Sequence, residues 1–450
     1  MEDTIVAVAT TIGKSSINVI RLSGKDAISI ANKIFSRDIT KFKSHTINYG
    51  YILEGNEKVD EVFLSIFLSP KSFTMEDVIE ISMHGGPTSV NKVMELLLSN
   101  GARMAEPGEF LKRAFLNGRI DLTQAEAVSD LINAQTEGSR KMALKGIDKT
   151  IYNVINGLKE KVLSLIANIE VNIDYPEYED AVVVTKEMIN DTNKEIKNKI
   201  EELLNNSKKG LLVKNGLKIV IVGKPNVGKS SILNALLNEN KAIVTDIKGT
   251  TRDIIEGSLM LEGIKIDILD TAGIRKTTDV VESIGVERSI EAINDADLVL
   301  FVVDSNEGWN NEDKEILAKL SNKEILVIYN KNDLKENYNV KELDKYNNIS
   351  LSSFDNDKIE KLKKKITEIF DLNNITKSNY AYISNARQIS LLNKCLEIID
   401  DIDQAIKNEY EIDLIEIDVK RLWECLSDIT GESSNEDLLN EIFSKFCLGK

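Results

Sequence analysis

The chain has 450 residues, room for about three domains, and its 42% hydrophobic and 29% charged content is that of ordinary globular protein with material for more than one core. A formal charge of −16 excludes broad, nonspecific nucleic-acid binding, though not a nucleic acid held on a local basic patch. Three widely spaced cysteines, Cys395, Cys425 and Cys447, make neither a disulfide framework nor a zinc pattern and fit a reducing, cytoplasmic setting.

The opening "MEDTIVAVAT" carries acids where a signal or transit peptide needs bases, and no apolar run approaches the ~20 residues of a membrane span, so no membrane association is expected. Residues 1–118 read as an α/β unit. Its predicted strands are "IVAVAT", "INVIRL", "KVDEVFLSIFL" and "DVIEISM". Its predicted helices are Gly24–Phe35 and Pro87–Ser99, the second with Pro at its start and Gly101 just past its end. From Thr123 to Ile169 apolar residues recur every three or four positions without a Pro, which predicts one long helix. "DYPEYED" interrupts it, and helix resumes over 185–212. Short apolar strands then alternate with helical segments: "LKIVIVG", "KIDILD", "DLVLFVVD", "EILVIYN" and "NISLSS". That alternation predicts a mostly parallel, helix-covered sheet ending near residue 375. Residues 383–406 and 418–447 return to helix. An α/β nucleotide domain thus stands inserted in an all-helical one.

"GKPNVGKS" (Gly223–Ser230) follows a strand and opens a helix, the context a phosphate-binding loop requires. Its glycines let backbone N–H groups of Asn226, Val227, Gly228, Lys229, Ser230 and Ser231 turn toward phosphate oxygens. Lys229 supplies charge to the outer phosphates and Ser230 a hydroxyl to magnesium. "TDIKGTTRD" offers a switch segment, Thr245, Asp246, Ile247, Lys248, Gly249, Thr250 and Thr251, in which the last two threonines sense the terminal phosphate and metal. In "DTAG" (Asp270, Thr271, Ala272, Gly273), the Asp holds magnesium through water and the Gly donates an N–H to the terminal phosphate. "NKND" supplies Asn330, Lys331 and Asp333. A carboxylate there accepts two donors from guanine, which adenine lacks, so the base is guanine. Ser352 and Ser353 line the base pocket.

No Gln stands after Gly273 to hold an attacking water; Ile274 and Arg275 occupy those places. Arg252 and Arg275 are candidate charge stabilisers, or else solvated switch residues. Asn226 offers an amide oxygen to a small cation, which would stand in for an arginine finger. With His45 and His84 both far away in sequence, a carboxylate is the default base, and Glu282 is one of several options.

These motifs, with "INVIRLSG", "FTMEDVIEISMHGG", "EPGEFLKRAFLNGRIDLTQAEAV", "ESIGVERS", "SNARQ" and the terminal "FCLGK", resemble over essentially the full length the MnmE (TrmE) family of tRNA modification GTPases. The resemblance implies an α/β multidomain chain: an N-terminal tetrahydrofolate-binding and dimerisation domain at 1–118, a helical domain at 119–212 and 376–450, and a Ras-like G domain at 213–375. It implies a homodimer whose G domains associate in a K⁺-dependent way to hydrolyse GTP. It implies a heterotetramer with the FAD-containing partner MnmG (GidA), FAD being used only through that partner. The pair would add a carboxymethylaminomethyl or aminomethyl group to C5 of wobble uridine 34 of tRNA. The one-carbon unit would come from 5,10-methylene- or 5-formyl-tetrahydrofolate. The partner can supply much of the basic tRNA surface that −16 denies this chain.

By the same resemblance, Asn226, Thr245, Ile247 and Thr250 match the K⁺ ligands, Ser230 and Thr251 the Mg²⁺ ligands, and Glu282 the carboxylate orienting the attacking water. Lys229 acts with it; Arg252 and Arg275 take a lesser part. Arg21, Glu80, Arg119 and Lys450 match folate-binding positions. Arg119 stands where the family often has Lys, so the charge is kept but the geometry changes. The "TIGKSS" loop departs from a more glycine-rich family pattern. Cys447 reads as a thiol of the terminal motif or as a small buried residue. A GTPase switch in ribosome assembly shares the G domain but lacks the 1–118 unit and needs a basic appendage that this sequence does not show. A folate-dependent one-carbon transferase with regulatory GTP overlaps the main reading.

Overall fold

Alternating burial along the early strands builds the first of two sheets. The computed structural model describes residues 3–11, 13–174, 184–238, 255–269, 292–320, 323–334, 339–352, 355–372, 383–446 and 449. Strands β1 (Ile5–Val8), β2 (Ser15–Ser23), β3 (Thr46–Glu54), β4 (Glu57–Phe67), β5 (Val78–Gly85) and β6 (Arg103–Met104) lie in the order β3-β4-β5-β2-β1-β6. All pairings are antiparallel except β1 with β6. In β4, Val62, Leu64 and Ile66 turn inward while Phe63 is exposed, the two-residue period of a half-buried strand. Helices α1 (Ala27–Ile34) and α2 (Pro87–Ser99) close the inward face, packing Ile30, Ile34, Val90, Val93 and Leu97 on the sheet. Each such side chain contributes roughly 1.5–3 kcal/mol by leaving water. The opposite face is exposed at Ile17, Ile47, Tyr49 and Phe63, while at β1 Phe110 and Phe73 cover Ile5 and Ala7. The expected strands and helices of this region are present; β3 and the two-residue β6 are additions.

The single helix expected over 123–169 is three: α4 (Leu122–Asn133), α5 (Glu137–Ile147) and α6 (Thr150–Asp174). Thr136 and Ser139 exchange hydrogen bonds that cap α5 (3.0 and 3.1 Å), and Lys149 turns at φ 62° between α5 and α6. A helix the sequence reading missed, α3 (Glu109–Leu116), precedes them. The 30-residue α7 (Lys186–Asn215) covers the next predicted helix.

In the second sheet, β7 (Leu217–Val222), β8 (Ile255–Leu261), β9 (Ile264–Leu269), β10 (Leu298–Asp304), β11 (Ile325–Asn330) and β12 (Asn347–Ser350) run in the order β12-β11-β10-β7-β9-β8. Only β8, absent from the sequence reading, is antiparallel. Strands β10 and β11 are buried at every position, as a parallel sheet covered on both faces demands. Leu300 and Val302 pack on the side of α8 (Lys229–Asn238), together with Ile232 and Leu236. Val299, Phe301 and Val303 pack into the core on the other face. Helices α9 (Asn311–Ala318) and α10 (Asn356–Ile369) belong with this sheet.

The C-terminal helices are α11 (Ala386–Lys407), α12 (Ile412–Thr430) and α13 (Glu436–Ser444). The run expected over 418–447 breaks because Gly431 takes φ 90° and ends α12. Helices α6 and α12 pack together, and Leu158, Val162 and Ile166 of the first and Leu422, Leu426 and Ile429 of the second are buried. The chain divides into two compact units. One comprises Met1–Ser129, Gly146–Ile196 and Leu391–Lys450; the other comprises Asp130–Lys145 and Lys197–Ser390. Among the described residues no helix is long and apolar enough to cross a membrane.

Candidate functional site

The phosphate loop leaves β7 at its C-terminal end and runs into α8, so the first turn of that helix presents its unpaired N–H groups to the loop. Gly228 has φ 97°, and a Cβ there would meet Asn330 Nδ2 at 2.2 Å, so only glycine fits. Asn226 adopts φ 63°, the left-handed conformation that Asn tolerates better than most residues, and its side chain is exposed at the loop. Val227 is buried beneath it. Lys229 Nζ donates to the carbonyls of Gly223 (2.8 Å) and Lys224 (2.7 Å), which bridges the loop from below α8. Ser230 and Ser231 follow in the first turn, both exposed.

The guanine motif meets this loop directly. Asn330, 1% exposed at the end of β11, donates from Nδ2 to Val227 O at 2.7 Å. Lys331 has φ 59° and pairs with Asp304 at 2.6 Å. Desolvation pushes the Asp304 carboxyl up, but the Lys331 ammonium and the Asn306 and Glu307 N–H groups outweigh it and hold the pKa below the usual range. Asn332 N–H donates to Leu351 O, which fixes the turn beside buried Ser352 and leaves Asp333 exposed. Sequence reasoning therefore named Asn226, Val227, Gly228, Lys229, Ser230, Ser231, Asn330, Lys331, Asp333 and Ser352, which the structure places in the second unit with the Asn330 turn against the loop.

It missed Asp304, signalled only as the acid ending an apolar strand. It also missed Lys224 and Asp313, whose charged groups lie 3.0 Å apart with side chains 4% and 0% exposed. Thr245, Asp246, Ile247, Lys248, Gly249, Thr250, Thr251, Arg252, Asp270, Thr271, Ala272, Gly273, Arg275, Glu282, Ser353, Cys447 and Lys450 lie outside the described residues. Among the described residues no group of three His, Cys, Asp or Glu side chains converges as a metal site. The described candidates for metal are thus one amide, Asn226, and one hydroxyl, Ser230.

A second constellation lies on the first sheet. Arg21 and Glu80 face each other across β2 and β5, and Arg21 Nε donates to Glu80 Oε1 at 2.8 Å. Arg21 Nη1 also donates to Gly449 O at 3.3 Å, so the penultimate residue of the chain reaches this pair. The Arg21 guanidinium lies 5.3 Å from the Phe73 ring and 5.7 Å from that of Phe110. Arg119 joins the group by stacking on Phe73 at 4.8 Å and donating to Phe73 O at 2.7 Å. Three of the four residues matched to folate binding are therefore assembled, with an acceptor, two fixed cations and an aromatic face.

Comparison with known proteins gives concordant results. The family model "MnmE helical domain" matches residues 122–447, and "GTP-binding protein TrmE N-terminus" matches residues 4–119. A curated relative from Streptococcus thermophilus, named tRNA modification GTPase MnmE, is 47% identical over 450 residues, covering 100% of this chain and 98% of its own. Proteins of the same name from Ligilactobacillus salivarius and Bacillus cytotoxicus are 47% and 46% identical over 455 residues. Among solved structures, Era of Aquifex aeolicus is 26% identical with a TM-score of 0.28, covering 40% of this chain and 67% of that one. The G domain of the T. maritima FeoB iron transporter is 28% identical with a TM-score of 0.27, covering 34% of this chain and 97% of that one.

Proposed function

Because the chain belongs to the MnmE family of tRNA modification GTPases, we propose that it couples GTP hydrolysis to adding a carboxymethylaminomethyl or aminomethyl group at C5 of wobble uridine 34 of tRNA. Residues 213–375 act as the G domain, residues 119–212 and 376–450, which flank it in sequence, as the helical domain, and residues 1–118 as the folate-binding and dimerising domain. The reading rests above all on the Asn330–Val227 hydrogen bond, which holds the base-reading turn in register with the phosphate loop. N–H groups at the start of α8 and the Lys229 ammonium hold the phosphates. Asp333 accepts from guanine N1–H and the 2-amino group. Bound adenine would leave it unpaired.

Asn226, with Thr245, Ile247 and Thr250, would hold K⁺; Ser230 and Thr251 would hold Mg²⁺. An exposed amide and an exposed hydroxyl in one loop fit hard cations that take oxygen ligands. Bound there, these ions neutralise charge on the transferring phosphoryl group. Glu282 orients the water, and Arg252 and Arg275 add charge around it. Arg21, Glu80, Arg119 and Lys450 hold the tetrahydrofolate that carries the one-carbon unit; the Arg21–Gly449 hydrogen bond supports the place of Lys450 in this set. Cys447 is a candidate thiol for the same site. The open sheet face bearing Ile47, Tyr49 and Phe63 suits the homodimer contact. MnmG supplies FAD and completes a heterotetramer in the cytoplasm.

Mass spectrometry of tRNA nucleosides from cells lacking the gene tests the whole reading: the modified wobble uridine disappears, and its persistence refutes the assignment. Hydrolysis should run several-fold faster in KCl than in NaCl, with the difference lost in Asn226→Ala. Equal rates in both salts would remove the potassium step alone.

A further inference from the structure

An open pocket of about 470 Å³ shares Phe73 and Arg119 with the group around the Arg21–Glu80 pair. Its size is that of small-ligand pockets, about 300–1,000 Å³. His45, Lys71 and Arg119 line it together with Phe67 and Phe73, and among the described residues no carboxylate does. That is unusual in a chain with 73 acidic and 57 basic residues. Among the described residues Lys71 and Arg119 have no carboxylate in ion-pair range, and burial lowers the Arg119 pKa with no acid opposing it. The acids nearest to Lys71 in sequence are engaged elsewhere: Glu76 pairs with Arg113 and accepts from Ser23, and Asp77 accepts from Ser69 N–H; Asp121, nearest to Arg119, accepts from Thr123 and Gln124 N–H. Two lining residues, His45 and Met75, hold left-handed backbone at φ 62° and 61°. Such conformations concentrate where a loop is shaped for a ligand. Phe73 joins this cavity to the Arg21 site, since both arginines stack on its ring.

We propose that the cavity receives the γ-linked oligoglutamate tail of the folate donor, with Arg119 and Lys71 meeting its carboxylates. This rests on the reading of Arg21 and Glu80 as the folate site. Each added glutamate brings one more carboxylate and no ring, which suits a cation-rimmed extension of an aromatic pocket. The chain would then select oligoglutamylated tetrahydrofolate over the monoglutamate.

Titration of the full-length protein with tetrahydrofolate mono- and triglutamate, followed by calorimetry, tests this. The triglutamate is expected to bind about tenfold tighter, from two partly shielded ion pairs. Lys71→Glu brings the ratio of the two affinities to about 1, and Lys71→Arg retains the preference. Equal affinities in the unmodified protein overturn the tail pocket while leaving the folate site standing. A preference that survives in Lys71→Glu removes the tail from this cavity. Binding of neither form overturns the pocket and the folate reading together.

Discussion

Lys224 stands second in the phosphate loop, yet its ammonium is turned to carboxylates. Its side chain is 4% exposed, and its ammonium faces Asp313 at 3.0 Å and Glu307 at 3.6 Å. Burial works against the charge, but the Asp313 carboxylate outweighs it with help from Glu307 and Glu312, so the pKa is raised and the cation persists. Asp313 is also the third residue of the α9 capping box, accepting from Asn310 N–H at 3.1 Å. The pair therefore ties the loop to the start of α9. Removing one partner of a buried pair strands the other, at about 3 kcal/mol. Lys224→Met should lower the stability of the second unit by that amount in urea unfolding. Lys224→Met with Asp313→Asn should recover most of it, because the amide oxygen keeps the cap and no charge is left unmatched. Losses that simply add would show the two residues to be uncoupled. This pair also marks the limit of sequence reading at the site. Lys229 and Ser230 are legible because their work depends on spacing within one loop. Lys224 has the same local setting, but its partner comes from an element far along the chain.

Helix α3 shows how elements are fastened in the first unit. Arg113, its side chain fully buried, donates to Asp3 and to Glu109, and pairs with Glu76 at 3.1 Å. Arg103 in β6 adds contacts of 2.7 Å to Asp3 and 2.6 Å to Glu109. The network joins the residues before β1 and β5, the strand β6 and the helix. For Glu109, desolvation pushes the pKa up, but Arg103, the Glu106 N–H and Arg113 together bring it below the usual range; Asp3 is lowered by the same arginines. Both folded values thus lie below the unfolded ones of about 4. The folded state then binds fewer protons than the unfolded state across that window. The stabilisation is present above about pH 4 and is lost as pH falls through the lower folded values. Thermal unfolding followed from pH 6 to pH 2.5 should show the first unit weakening in acid, and Arg103→Gln should make that loss shallower. An unchanged acid slope in Arg103→Gln would mean that other carboxylates set it. The network also explains why α3 escaped the sequence reading. "EFLKRAFL" places Glu109 and Arg113 on the buried side, so its pattern of charge contradicts its pattern of burial. Helix α2 is legible for the opposite reason, since Pro87 and Gly101 punctuate it and its apolar face is continuous. Strand β3 is obscured because Ile47 and Tyr49 put apolar residues on its exposed face. The breaks around α5 are set by Thr136, Ser139 and Lys149, whose local turns leave the three-to-four apolar spacing untouched.

Over the whole molecule, the order of the sequence and the order of the cores differ. The first unit gathers three separate stretches, and the second gathers two, with the nucleotide loop in the longer one. Each carries its own apolar clusters. Leu64, Ile66 and Val93 belong to one in the first unit, and Ile219, Leu300 and Ile328 to one in the second. The candidate ligands divide the same way: Arg21, Glu80 and Arg119 lie in the first unit, and Lys229, Asn330 and Asp333 in the second. A ligand that binds only folded protein stabilises it by about 2.7 kcal/mol at a hundred times its Kd. In a unit of this size each kcal/mol moves the melting point by roughly 2–4 °C, so the shift is roughly 5–10 °C. Scanning calorimetry of the full chain should therefore resolve two transitions. GDP with Mg²⁺ should raise one of them by that amount and leave the other in place, and tetrahydrofolate should do the reverse. Lys229→Ala should abolish only the nucleotide shift, and Arg21→Ala only the folate shift. A single transition moved equally by both ligands would mean that the units melt as one body and that binding at either site is felt throughout.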